Sequence, residues 1–328
     1  MRVLVTGGAG FIGSHSVEAL LAEGHEPVVI DDLSTGHARN LTPGVRLIRA
    51  SILDARALAE AIAGCETVLH LAAIVSVPLS LERPLDCHAV NATGSLQVLE
   101  AAHRAGVRRV VQASSAAVYG EVEPPIGEFA PLVPLSPYGL QKRMAEEYGR
   151  LYGLHHGLEV ISLRYFNVYG PRQDPRSPYS GVLSRFADAL ARGEPTVIFG
   201  DGQQTRDFVF VGDVARANLL ALTAPGSFAG EAFNLGAGRA ISVLEAHAAI
   251  RAAVARESDT ARPGGAPAHL PLRHEPARSG DIRHSLARVD AARERLDWQA
   301  RVPFGEGISR TVHHAIGTPV DPASGTRD

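Results

Sequence analysis

Only two cysteines, Cys65 and Cys87, occur in 328 residues. Two thiols make no disulfide framework, so they read as small buried hydrophobes in a reducing cytoplasm. No apolar run approaches the roughly 20 residues that span a bilayer, which argues against a transmembrane helix. The opening MRVLVTGGAG starts a strand at once and leaves no room for a signal peptide. Neither sign of charge is in excess: 32 Lys+Arg stand against 35 Asp+Glu, for a net charge of -3. That excludes broad electrostatic attraction to nucleic acid or an anionic membrane. Internal repeats are absent as well. The histidines offer no metal-ligand set. His155 and His156 are adjacent and point apart on a helix, and His274 and His284 lack a Cys or acidic partner at ligand spacing. No metal is expected.

What is present is apolar material, 45% of the residues, with 20% charged. A chain of this length buries a sizeable core and forms two domains or one domain with a lobe. Short β-branched runs alternate with segments of helical spacing. RVLVTG is followed by FIGSHSVEALLAEGH, which stops near Gly24, a C-cap residue, and then by PVVIDD. VRLIRA, TVLHLAA, VRRVVQASS and LEVISLRY continue the strands. ARALAEAIAG, NATGSLQVLEAAHRAG and YGLQKRMAEEYGRLYG continue the helices. This predicts an α/β fold, a doubly wound parallel sheet of Rossmann type with a smaller C-terminal lobe. Beyond about residue 166 the alternation stops. The polar, turn-rich NVYGPRQDPRSPYSG is too long for an ordinary connection. Residues 257–271 read as a flexible surface insert, and TPVDPASGTRD as a disordered tail.

TGGAGFIGS joins the first strand to the first helix and spaces Gly7, Gly10 and Gly13 three apart, with Gly8 completing G-x-G-x-x-G. Glycine lets the backbone turn tightly, approach a pyrophosphate and pack helix on strand, while the helix N-terminus faces the phosphates. Alone the motif is weak, but here it opens a series of βα units. Asp31 ends the second strand, 18 residues beyond Gly13. A carboxylate there accepts hydrogen bonds from both ribose hydroxyls and repels a 2′-phosphate, so the cofactor reads as NAD. Its neighbour Asp32 reads equally as a ribose contact or as a turn or N-cap residue.

SPYGLQK places Tyr138 four residues before Lys142, about one helical turn, so both side chains share a face. A free phenol has a pKa near ~10. Bringing it to near neutrality takes roughly 4 kcal/mol. A cation about 5 Å away supplies on the order of 3 kcal/mol at an effective dielectric of about 20. The positive charge of an oxidised nicotinamide adds to this. Such a pair is suited to take a hydroxyl proton while hydride leaves the same carbon. A bare Tyr-x-x-x-Lys is common by chance and by itself marks only an exposed helix. ASSAAVYG, after a buried-looking strand, adds Ser115, a hydroxyl able to hold the same substrate oxygen; Ser114 reads as satisfying backbone groups.

Together TGGAGFIGSH, VVIDDLSTG, LHLAA, VNATGSLQVLEAA, SSAAVYG, SPYGLQK, RYFNVYGPRQDP, GDGQQTRDFVFVGDVA and RSGDIRHS cover roughly residues 1–316. In these segments the chain resembles the extended short-chain dehydrogenase/reductase family, the NAD-dependent nucleotide-sugar epimerases and dehydratases. Within it, the chain is most similar to 4-epimerases of UDP-glucose and UDP-N-acetylglucosamine. The resemblance implies Ser115, Tyr138 and Lys142 as catalytic residues. It implies a cofactor site of Gly7, Gly10, Phe11, Ile12, Gly13, Asp31, Asp32, Ser51, Ile52, Leu71, Ala72, Ala73, Asn91 and Tyr165, with Tyr138 and Lys142. Many members carry an aspartate toward adenine where this chain has Ser51, and some carry a lysine at Val75, so cofactor contacts are fewer here. Besides Ser115 at the reacting oxygen, the resemblance implies Asn167 at the substrate diphosphate, with Arg206 and Arg278 as guanidinium clamps and Asp281 at the uridine ribose. Ser285 stands where some relatives carry a tyrosine, which implies space for an N-acetylated sugar as well as UDP-Glc or UDP-Gal.

The resemblance also assigns residues 1–166, with segments near 205–222, to an NAD-binding domain, 167–316 mainly to a sugar-nucleotide lobe and 317–328 to a tail. It implies a homodimer paired through two helices, PLDCHAVNATGSLQVLEAAHRAG and YGLQKRMAEEYGRLYG, in the cytoplasm. Dehydratases of the family carry an acidic pair just after the serine, and decarboxylases keep a glutamate there. Ala116 and Ala117 perform no acid–base work, which favours oxidation at C4, turning of the ketone and return of the hydride. A UDP-glucuronate 4-epimerase, with Arg172 or Arg176 at the carboxylate, a 4,6-dehydratase or decarboxylase of sugar nucleotides, and a non-catalytic dinucleotide sensor are the alternatives. The sensor is disfavoured because Ser115, Tyr138 and Lys142 are all present.

Overall fold

The structure, a computed structural model, describes residues 1–175, 181–261, 270–277 and 282–317. β1 (Arg2–Thr6), α1 (Phe11–Ala22), β2 (Glu26–Ile30) and β3 (Arg46–Ile48) come first, then α2 (Ala55–Ile62) and β4 (Thr67–His70). Two short helices, α3 (Val77–Glu82) and α4 (Pro84–His88), lead through a π-helical stretch (Ala89–Thr93) into α5 (Gly94–Arg104). β5 (Arg109–Ser115), α6 (Pro137–His156) and β6 (Glu159–Tyr165) complete the alternation. The second half holds β7 (Asn167–Tyr169), α7 (Val182–Ala191), β8 (Thr196–Phe199), β9 (Thr205–Phe210) and α8 (Val211–Thr223). After these come β10 (Ala229–Leu235), β11 (Ala240–Ser242), α9 (Val243–Ala261), β12 (Leu272–Glu275), α10 (Asp290–Leu296) and α11 (Phe304–Gly317).

The seven-stranded sheet has the order β10-β6-β5-β4-β1-β2-β3, and every pairing in it is parallel. Its central strands β1, β4, β5 and β6 are almost wholly buried, as expected of a sheet covered on both faces. Valines and leucines of β1, β4, β5 and β6 build two cores, one on each side of the sheet. α1 ends where Gly24 adopts φ +72, as its sequence spacing leads one to expect. A third core joins Tyr169, Phe186, Phe208, Phe210, Ile250 and Ile308 beneath a small β11-β9-β7 sheet. Among the described residues no helix is long and apolar enough to cross a membrane.

Three expectations change. The strand at 229–235 returns to the large sheet beside β6, although its sequence AGEAFNL is no β-branched run. α8 packs on that sheet, within the stretch near 205–222 expected there, but so does the Asp290–Trp298 segment, whereas β9 sits in the small sheet. Residues 257–261, read as part of an insert, continue α9; residues 262–269 and the tail from 318 lie outside the described residues. Arg109, fully buried in β5, caps the end of α8. Its guanidinium donates to the carbonyls of Ala221, Ala224 and Gly226 at 2.8–3.1 Å and to Glu159 at 2.8 Å. A cation there meets the negative end of the helix dipole.

Candidate active site

The sheet is extended in opposite directions from β1 and β4, and the crevice at their C-terminal ends is where such sheets bind ligands. Gly7 leaves β1 with φ +68, and a Cβ there would press into the backbone of Leu71 and Ala72. Gly10 is the N-cap of α1, and Phe11 and Ile12 begin its first turn. A Cβ on Gly13 would collide with the Gly7 carbonyl and Gly8 Cα, so the turn closes only around hydrogen atoms. No side chain caps the N-terminus of α1. Its first-turn N–H groups are thus left for an anion, and the cradle suits a dinucleotide's pyrophosphate.

Asp31 is buried at the end of β2, where Oδ2 accepts from Ala9 N at 2.9 Å and Oδ1 from Leu33 N at 2.8 Å. Burial raises its carboxyl above the ordinary range, opposed by these two bonds. Each oxygen keeps lone-pair capacity for a ribose hydroxyl. Asp32 is exposed and accepts from Ser34 N at 2.9 Å, the turn role among its two readings. Ser51 similarly accepts from Leu53 N at 3.2 Å, and the Ile52 side chain lies in the core.

The opposite wall follows β4. Thr6 Oγ1 accepts from the N–H groups of Leu71 and Ala72, both at 3.1 Å, and donates to His70 Nδ1 at 2.8 Å. His70 Nε2 lies 3.0 Å from Ser95 Oγ, whose own hydrogen goes to Asn91 O. His70 is thereby fixed as the Nε2–H tautomer, and burial drives its pKa down to about 3. Asn91 accepts from Ile74 N at 2.8 Å and donates to Ile74 O at 3.0 Å and Gln141 Oε1 at 2.9 Å. Both of its amide hydrogens are used, so it holds the 71–74 segment against α6. Tyr165 is buried in the core with its hydroxyl on Asn218 Oδ1 at 2.7 Å, and burial raises its phenol.

β5 and α6 meet at Ser115, Tyr138 and Lys142. Tyr138 is buried, its N–H donates to Ser80 Oγ at 3.1 Å, and Ser115 stands beside its phenol and lowers its pKa. Ser115 also accepts from Ala117 N at 3.1 Å. Lys142 Nζ donates to Ala113 O at 2.9 Å and stands 6.0 Å from the centre of the Tyr138 ring. The expectation that this cation acidifies the phenol does not hold for the chain by itself. Burial pushes Tyr138 up to about 12, opposed only by Ser115. Burial also pulls Lys142 down to about 8, partly opposed by Glu146.

Sequence reasoning missed what lies one turn further along α6. Ser114 Oγ donates to Glu146 Oε1, and Arg164 forks onto the same carboxylate at 2.9 and 2.7 Å. Arg164 continues to Tyr119 Oη at 2.8 Å. Ser114 therefore serves Glu146 rather than the backbone. The signal was present: residues 138, 142 and 146 fall on one helical stripe, and each reaches the end of β5.

Further out, Asn167 is exposed at the start of β7. Arg206 on β9 donates to Thr205 O at 2.9 Å, and Ser285 N donates to the same carbonyl at 3.2 Å. Between them Asp207 is fully buried, accepting from Ala237 N at 2.6 Å, Gly238 N at 3.1 Å and Ala287 N at 3.0 Å. Burial pushes its carboxyl up to about 6. It pins two loops to the strand carrying Arg206. Arg278 and Asp281, like Arg176, lie outside the described residues. Arg172, read as a uronate ligand or surface charge, instead binds Glu18 and Asn40. Among the described residues no group of His, Cys, Asp or Glu can hold a metal ion.

Residues 3–236 match the NAD dependent epimerase/dehydratase family. The UDP-glucose 4-epimerase of Mycolicibacterium smegmatis is 43% identical over 322 residues, covering 95% of this chain and 97% of its own. A UDP-glucose 4-epimerase of Thermotoga maritima, solved with UDP-glucose, superposes with a TM-score of 0.88 at 37% identity, covering 96% of this chain and 98% of its own. One from Thermus thermophilus, solved with NAD, superposes at 0.86 with 38% identity, covering 97% and 100%.

Proposed function

Because the chain belongs to the NAD-dependent epimerase/dehydratase family, we propose that it interconverts the C4 epimers of a UDP-hexose, UDP-Glc and UDP-Gal, through a transient 4-keto sugar. The observation that carries this is the convergence of Tyr138, Ser115 and Lys142 on the β5 edge, beside a glycine turn that fits a pyrophosphate. Bound NAD⁺ supplies the place where hydride is stored and returned, and a positive charge that favours the phenolate. Tyr138 takes the proton of the C4 hydroxyl and later gives it back. Ser115 holds the same oxygen and relays its proton. Lys142, fixed through Ala113, adds positive charge and anchors α6 to β5. The chain's own residues keep Tyr138 a neutral phenol, so proton abstraction is confined to the loaded site.

Ala116 and Ala117 occupy the short helical turn after Ser115. Their methyl groups can neither remove nor return a proton, which leaves epimerisation rather than loss of water or CO₂. Asn167, Arg206, Arg278 and Asp281 are proposed for the UDP moiety. We also place the protein in the cytoplasm as a homodimer. Cys65 and Cys87 are buried and unpaired, which suits a reducing compartment. Leu140 and Leu154, 49% and 65% exposed, lie on α6, where Leu140, Met144, Tyr148 and Leu151 line a shallow apolar surface suited to a second copy.

The test is incubation with UDP-Glc, UDP-Gal, UDP-GlcNAc, UDP-GalNAc and UDP-GlcA without added reductant, followed by separation of the C4 isomers. Interconversion of UDP-Glc and UDP-Gal is expected, and failure with every pair would overturn the reading. Ser285 is buried beside Thr205 and is proposed to leave space at the sugar C2 group. Ser285→Tyr is expected to lower kcat/KM for the acetylated pair by about tenfold or more, the effect of roughly 1–3 kcal/mol of lost pocket complementarity, and to spare UDP-Glc. An unchanged ratio of the two activities would refute the size argument.

A further inference from the structure

The backbone that leaves β7 crosses to the outside of the glycine turn. At Arg172 it takes φ +67, a left-handed conformation that side-chain-bearing residues avoid. The Arg172 side chain is only 19% exposed. Nη2 donates to Glu18 Oε1 at 2.5 Å, and Nη1 donates to Asn40 O at 3.2 Å. Glu18 lies on α1, the helix whose N-terminus forms the pyrophosphate cradle. Asn40 reaches into the glycine turn itself: its Nδ2 donates to Ala9 O at 2.9 Å, the carbonyl that also accepts from His37 N at 3.0 Å. One residue before Arg172, Pro171 O accepts from His15 Nε2 at 3.0 Å, while His15 Nδ1 stands 3.8 Å from Glu18. Burial lowers the pKa of His15, in keeping with a neutral donor. Two contacts from one dipeptide thus tie the lobe strand carrying Asn167 to both sides of the cofactor turn. An isolated exposed ion pair contributes little, but a largely covered guanidinium bonded to a carboxylate and a backbone carbonyl is held in one geometry.

We propose that Arg172 is a positioning residue for the cofactor: with Glu18, Asn40 and His15 it latches the segment after β7 across the glycine turn, and the resident dinucleotide leaves only when this latch opens. The proposal rests on the NAD-dependent reading above and explains how that chemistry completes. The hydride must return to the same sugar, so a dinucleotide lost in mid-cycle would strand a keto sugar on the enzyme.

The holoenzyme, Arg172→Gln and Glu18→Gln are each mixed with excess fluorescent etheno-NAD, and exchange of the resident dinucleotide is timed. Arg293→Gln, which breaks only an exposed pair with Asp290, is the control. Exchange is expected to be about tenfold faster or more in Arg172→Gln and Glu18→Gln and unchanged in the control. The unfolding midpoint of the dinucleotide-free variants is expected to stay within a few degrees of the wild type. Unchanged exchange in Arg172→Gln would overturn the latch. So would a midpoint that collapses together with faster exchange, which marks a merely structural role. Wild-type protein that neither carries nor takes up the dinucleotide would overturn the underlying NAD reading, and the latch with it.

Discussion

Tyr138→Phe is expected to lower kcat by roughly 10²–10⁴-fold, the range for loss of a positioned general base, with NAD and UDP-sugar still bound. The substitution deletes one oxygen. The ring keeps its buried place, and the helix keeps its attachment through the backbone N–H to Ser80. Stability should therefore change by no more than about 1 kcal/mol, the scale of one polar contact, here that of the phenol with Ser115. Reduced nicotinamide absorbance after substrate addition, read beside turnover, separates the two effects. A variant that turns over at the wild-type rate would remove Tyr138 from the chemistry.

Glu146→Gln is expected to cost about 3–5 kcal/mol of stability, more than any other single change near the site. The Glu146 and Arg164 side chains are 8% and 5% exposed, and among the described residues Arg164 pairs with no other carboxylate, its remaining bonds going to Tyr119 Oη and Glu128 O. Neutralising the acid leaves a buried guanidinium without its counter-charge. Removing both charges, in Glu146→Leu with Arg164→Met, is expected to be much milder, because two well-packed apolar side chains replace a pair that is costly to desolvate. Urea midpoints of the three proteins check the order. The same substitution acts on the pH profile. Lys142 is charged below its pKa, which burial has lowered to about 8 and Glu146 holds up. Activity that needs the ammonium therefore falls as pH rises through that region. Without Glu146 the fall begins at lower pH, visible in kcat/KM measured between about pH 6 and 10.

The alternation of the first half was legible because each βα unit buries a continuous apolar strand under an amphipathic helix, and that leaves a period in the sequence. The glycine turn was legible for a related reason: Gly13 is fixed by collisions with Gly7 and Gly8, only a few positions away. Tyr138, Lys142 and Glu146 share a stripe, so even the unread third member was available from spacing. β10 was not, because AGEAFNL becomes a strand through its pairing with β6 rather than through its own composition. Arg172 was not, because its partners Glu18 and Asn40 lie 154 and 132 residues away. The burial of the Tyr138 phenol was not legible either. Desolvation of a buried hydroxyl outweighs a cation whose hydrogen bond is spent on Ala113, and only coordinates reveal both.

The decisive measurement is to supply UDP-glucose carrying deuterium at C4 and locate the label in the UDP-galactose formed. Hydride stored on a resident nicotinamide and returned to the same carbon leaves the deuterium at C4, with none lost to water. Washout of the label to solvent during turnover would mean that C4 gives up a proton rather than a hydride, and the roles assigned to Tyr138, Ser115 and Lys142 would fall.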